Sequence, residues 1–144
     1  MKSWLKIILL GIVFAIIAQI VHTIESMATM NFYTDPAYFG VWSKIMMPGQ
    51  GAPPVEFYIY SIIFSFIAGI IYALIYTIIR KSIPGKTVFN HGLYFGFILF
   101  LIGLPGILSL YLLINLPVML LVSWSITTLI IDLIFGVIVA KLFK

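Results

Sequence analysis

Residues 117–140 read PVMLLVSWSITTLIIDLIFGVIVA, and Lys141 and Lys144 follow close behind. A helix needs roughly 20 apolar residues to cross a bilayer, and this stretch has the length, with a single ionisable side chain, Asp132, inside it. Working outward, residues 4–24, 57–79 and 88–112 form three more stretches of the same kind. The rest of the composition agrees. The 144-residue chain is 63% hydrophobic and 8% charged, with a mean hydropathy of +1.23. A soluble domain needs far more polar surface, so lipid is the solvent for most of this one.

The few charges sort around these stretches. Lys2 and Lys6, then Arg80, Lys81 and Lys86, then Lys141 and Lys144 occupy three short segments. Glu25, Asp35 and Glu56 share another with Lys44. Lysine and arginine collect on the cytoplasmic side of a membrane. This bias puts both termini and the 80–87 turn in the cytoplasm and residues 25–56 on the outer side. The expectation is one membrane domain over residues 1–144, an all-α integral membrane protein built as an antiparallel four-transmembrane-helix bundle. The basic N-terminus and the apolar run at 7–18 have the look of a signal peptide. That run continues to Ile24 with no A-x-A site after it, so it reads as a retained first span. The basic residues flank spans, which makes them topology anchors with affinity for the lipid bilayer; no nucleic-acid partner is expected. The absence of cysteine removes disulfides, thiolate metal sites and thiol redox chemistry.

Pro84-Gly85 marks a tight inner turn, and Asn115-Leu116-Pro117 the outer one, with Pro117 opening the last helix. In the long outer loop, Asp35-Pro36 has the form of a helix start. Tyr38, Phe39, Trp42, Ile45 and Met46 then recur on one face, which predicts an interfacial helix over residues 36–47. The PGQGAPP segment at 48–54 ends it.

Helices in lipid associate through small residues that permit close approach. Four-residue spacing gives such stripes at Gly11, Ala15, Gln19 and Thr23; at Ser61, Ser65, Gly69 and Ala73; at Gly92 and Gly96, continuing to Gly103 and Gly106; and at Thr128, Asp132, Gly136 and Ala140. Pro105, close to the last two glycines of the third span, is expected to kink or unwind it.

Asp132 lies about 13 Å from the cytoplasmic end of its helix at 1.5 Å per residue. An acid at that depth costs a few kcal/mol on insertion scales and faces protein or water. Its expected partners form an intramembrane polar cluster of Tyr72, Tyr76, Asn90 and His91. His22 and Glu25 stand at i and i+3 near the outer surface, one turn beyond Gln19. They are candidates for acid–base work or, with the thioethers of Met27 and Met30, for a soft-metal site that favours copper. No cofactor is otherwise predicted. His22 and His91 belong to opposite membrane surfaces, so they cannot ligate one haem. The chain has no P-loop, H-E-x-x-H, G-x-S-x-G or G-x-G-x-x-G.

Three functions fit these features. The first is association, as an accessory subunit among other membrane subunits or as a homo-oligomer. The second is a small proton- or ion-coupled transporter or channel using Asp132. The third is an enzyme acting on a lipid or quinone, with His22 and Glu25 or His91 and Asp132 as its catalytic groups.

Overall fold

The computed structural model describes residues 2–47 and 51–144 and contains four long helices. These are α1 (Ser3–Ala28), α3 (Val55–Ile79), α4 (Val88–Leu113) and α5 (Val118–Leu142). Each is long and apolar enough to cross a membrane, and the chain is an integral membrane protein. Helices are the natural outcome for such segments, because a bilayer offers no partner for an unpaired backbone N–H or C=O. A short helix, α2 (Met30–Tyr33), and a 3₁₀ helix (Pro36–Val41) follow α1. Lys2, Lys144 and the 80–87 turn lie at one end of the antiparallel bundle, the terminal end. Residues 25–47 and 51–56 and the 114–117 turn lie at the other, the loop end.

The four helices are not equivalent. α1 packs chiefly on α3, α4 chiefly on α5, and α1 also meets α5. The inner pair α1 and α5 joins two tightly packed hairpin-like halves. Glycine permits each tight contact. A Cβ on Gly69 of α3 would strike Phe14 and approach the backbone of Gly11 on α1. On the other side Gly92 and Gly96 of α4 lie directly against the backbone of α5 at Asp132, Gly136 and Val137. Gly136 in turn meets Gly92 and Gly96, so the α4–α5 contact is backbone against backbone over more than one turn. The main core fills the space between the halves with Leu10, Phe14, Ala18, Ala73, Tyr76, Phe95, Leu99, Phe135 and Val139. A smaller core at the loop end gathers Tyr33, Leu116, Leu120 and Leu121.

The sequence-derived stripes hold in part. Gly69, Ala73, Gly92, Gly96, Gly136 and Ala140 are buried, while Ser61 and Ser65 are half-buried. On α1 the buried positions are Leu10, Gly11, Phe14, Ala15, Ala18 and Glu25, and Thr23 is exposed. A strict four-residue step advances 40° around a helix, so such a stripe drifts off the contact face within a few turns, whereas steps of three and four alternating stay on it. Gly103 and Gly106 have nothing within 4 Å of where a Cβ would stand. Pro105 does not unwind α4, which runs unbroken from Val88 to Leu113.

The loop helix is shorter and tighter than its aromatic pattern suggested. Asp35 does cap it, accepting from the Ala37 N–H at 2.9 Å, but the helix is 3₁₀ and ends at Val41. Gly40 and β-branched Val41 are poor α-formers. Beyond them Ser43 starts a separate turn by accepting from the Met46 N–H at 3.1 Å. Of the PGQGAPP segment, residues 48–50 lie outside the described residues.

Candidate functional site

Two acids are buried in this bundle, Glu25 at the loop end and Asp132 midway along α5. Glu25 sits in the last turn of α1 and is 8% exposed. It lies seven residues beyond Ala18 and fourteen beyond Gly11, which keeps it on the face that α1 turns to the core. Ser123 of α5 donates to one carboxyl oxygen at 2.8 Å, and Thr29 donates to the same oxygen at 2.9 Å. The Tyr33 hydroxyl donates to the other at 3.3 Å and accepts from the Trp124 indole N–H at 2.7 Å. Residues separated by about a hundred positions in the chain thus meet on one carboxyl group. The α1–α2 break is what allows it. The chain turns at Thr29, and the one-turn helix α2 swings Tyr33 back over the end of α5.

Trp42 closes the arrangement from above, its ring 5.1 Å from that of Tyr33. Its indole N–H is buried without an acceptor among the described residues. Burial pushes the Tyr33 phenol up to about 12, a shift that the Trp124 donation opposes and the nearby Glu25 charge reinforces. This cluster is a fully assembled hydrogen-bond network, which rigidifies the loop end of the bundle.

Asp132 is solved differently. It is 3% exposed and lies midway along α5. No described side chain donates a hydrogen bond to its carboxyl group, yet its oxygens are not sealed away: the Trp42 indole nitrogen is the one fully buried side-chain polar atom without a partner among the described residues. An aromatic cluster begins one turn further along the helix. Phe135, one turn on, meets Phe14 edge-to-face at 4.9 Å, and Tyr72 meets Phe14 at 5.3 Å. Tyr72 is the ionisable group that lies near Asp132. The other expected members of an intramembrane polar cluster are elsewhere. Tyr76 packs edge-on against His91 at 5.7 Å and Phe95 at 4.9 Å. Asn90 is exposed. His91 and Asp132 therefore do not form a pair.

His22 and Glu25 lie near each other but share no hydrogen bond among the described residues. His22 is exposed, while the Glu25 carboxyl is occupied by its three hydroxyl donors. Gln19 turns to α3 and donates to Ser61 at 2.7 Å. Met27 and Met30 are exposed. Among the described residues no three His, Asp or Glu side chains come together as a metal-binding group.

Sequence reasoning did not identify Ser123, Trp124, Tyr33 or Thr29. The signal available for Glu25 was its seven-residue register with Ala18 and Gly11, which marks it as inward-facing. Comparison with known protein families, curated proteins and solved structures finds no match for this chain.

Proposed function

We propose that this protein acts by association within the membrane, as a small homo-oligomer or as an accessory subunit of a membrane complex. Both termini and the 80–87 turn lie in the cytoplasm in this reading, and residues 25–56 lie outside, as the lysine and arginine bias requires.

One observation carries the reading. Gly11, Gly69, Gly92, Gly96 and Gly136 are each pressed against a neighbouring helix, whereas Gly103 and Gly106, on the loop-end half of α4, meet nothing. Ser109, one turn further, is exposed and bonds only to its own helix, at the Gly106 carbonyl. Lipid tails gain nothing from glycine, and a helix surface of small residues in a bilayer is where another helix approaches. The assembled Glu25 network favours a rigid scaffold over a reacting centre.

Native mass spectrometry in mild detergent tests it. The expected result is a multimer for the wild-type chain and a monomer for the Gly103→Ile, Gly106→Ile double variant, with unchanged helix content. A monomeric wild-type protein that moves a solute across liposomes overturns the proposal.

The burial of Asp132 deep in α5, with no described side chain donating to it, favours a second reading, a proton- or ion-coupled carrier. Its test is proton-coupled flux in liposomes that disappears in Asp132→Asn; flux that survives the substitution removes the reading's basis.

A further inference from the structure

The terminal end of the bundle carries Lys2, Lys6, Arg80, Lys81, Lys86, Lys141 and Lys144, and no acidic side chain. The charge there is strongly positive. Four of these cations form two sets. Lys6 and Arg80 are engaged with the end of α5. Lys6 donates to the Leu142 carbonyl at 2.6 Å, and Arg80 donates to the Phe143 carbonyl at 3.2 Å. Both carbonyls belong to the unpaired set at a helix C-terminus, where positive charge is favoured. The Phe143 ring lies between the Lys6 ammonium, 5.3 Å away, and the Tyr76 ring, 5.8 Å away. Four contacts thus pin the segment that precedes Lys144.

The second set faces a cavity of about 230 Å³ that opens beside this pinned segment. Lys86, Thr87, His91 and Lys144 line it, with Gly85 and Tyr76 as further walls. Its shape depends on Gly85, whose φ of +130° suits glycine and whose missing Cβ would collide with the His91 backbone. The turn therefore folds down tightly onto the first turn of α4. Thr87 caps that helix by accepting from the Asn90 N–H at 3.1 Å. Cap and turn hold Lys86 on one wall, and the pinned segment brings Lys144 to the other.

We propose that this cavity binds a phosphate group, with Lys86 and Lys144 supplying the charge and Thr87 and His91 further hydrogen-bonding groups. The chemistry is shared by an anionic phospholipid headgroup from the adjoining leaflet and by free phosphate. The cavity lies where the apolar part of α4 begins, at headgroup level. A generic basic surface attracts anionic lipid through every lysine alike; a built cavity does so through the residues that line it.

The full-length protein in phosphatidylcholine nanodiscs doped with phosphatidylglycerol, read by native mass spectrometry, separates these cases. The expected result is one phosphatidylglycerol retained per chain, with affinity lowered about tenfold or more (about 1.4 kcal/mol) in Lys86→Gln, Lys144→Gln, because charge-assisted hydrogen bonds to the phosphate are lost. The control variant Lys2→Gln, Lys81→Gln removes equal charge from the same end, and it is expected to retain the lipid. Inorganic phosphate bound by the detergent-solubilised protein, with the same sensitivity to Lys86 and Lys144, supports the cavity and assigns it to soluble phosphate. Equal loss in the two double variants, or no loss in either, overturns the proposal. Both pairs are exposed lysines, and helix content by circular dichroism checks that each variant is folded.

Discussion

Glu25 and Asp132 are both carboxylic acids buried among apolar helices, yet the bundle treats them in opposite ways. Glu25 collects three hydroxyl donors from α1's own end, from α2 and from α5. Asp132 collects none from the described residues, and Tyr72 is the ionisable group that lies near it. Burying a polar group without a partner costs more than the hydrogen bond it forgoes. The first acid is thus part of what holds the fold together, and the second is a cost that the rest of the packing offsets. A residue kept at a cost is the natural place to look for activity, and a residue that repays its burial is the natural place to look for architecture.

The comparison is broken most directly at Glu25. Glu25→Leu strands Ser123 and Tyr33 without their acceptor, while Thr29 keeps the backbone carbonyl of residue 25 at 2.9 Å, and a loss of about 2–4 kcal/mol is expected. A lower melting temperature in detergent, with earlier proteolysis in the loop after α1, checks it. The same substitution at the other acid is expected to have the opposite sign. Asp132→Leu removes a polar group to which no described side chain donates, at the cost of fitting a larger side chain, and stability rises by about 1–2 kcal/mol. A destabilised Asp132→Leu shows that the acid has a partner after all.

Tyr33 gives a pH-dependent version. An unfolded tyrosine loses its proton near 10.0, and this one holds it up to about 12. Between these values the unfolded chain binds fewer protons than the folded one, so stability falls as pH rises. The contribution is complete below about pH 10 and gone above about pH 12. Its size is about 1–2 kcal/mol, less than the full linkage value because solvent at the membrane surface screens it. Melting temperatures across that range should fall more steeply for the wild type than for Tyr33→Phe.

The smallest effect is a coupling. A double-mutant cycle of Glu25→Gln with Ser123→Ala is expected to give about 0.5–1.5 kcal/mol of interaction. The corresponding cycle of Asp132→Asn with Tyr72→Phe should give none beyond error. Coupling of similar size in both erases the distinction between the two acids.

How much of this was legible in the chain depends on the range of the interaction involved. The four helices follow from run length alone, and their observed ends fall within a few residues of the expected ones. Asp132 is legible as buried because nothing in an apolar span offers it a surface. Glu25 is harder, since a glutamate at a helix end ordinarily faces water. Only its register with Gly11 and Ala18 marks it as inward, and its donors come from Tyr33 and Ser123, which no spacing rule connects to it. The loop helix failed for a local reason, Gly40 and Val41 outweighing an aromatic periodicity. The glycines failed for a non-local one. Gly96 and Gly103 are equivalent as sequence, yet Gly96 lies on α5 and Gly103 lies on nothing.

By itself the sequence determined that this chain lives in a membrane, how many times it crosses, and which segments share an end, because these depend on hydropathy and charge summed over long stretches. The tertiary structure alone decided which helices pair, which glycines are consumed by those pairs, and which acid receives donors. Those outcomes turn on contacts of a few ångströms between residues far apart in the chain, where a rotation of one helix by a fraction of a turn exchanges a buried carboxyl for an exposed one.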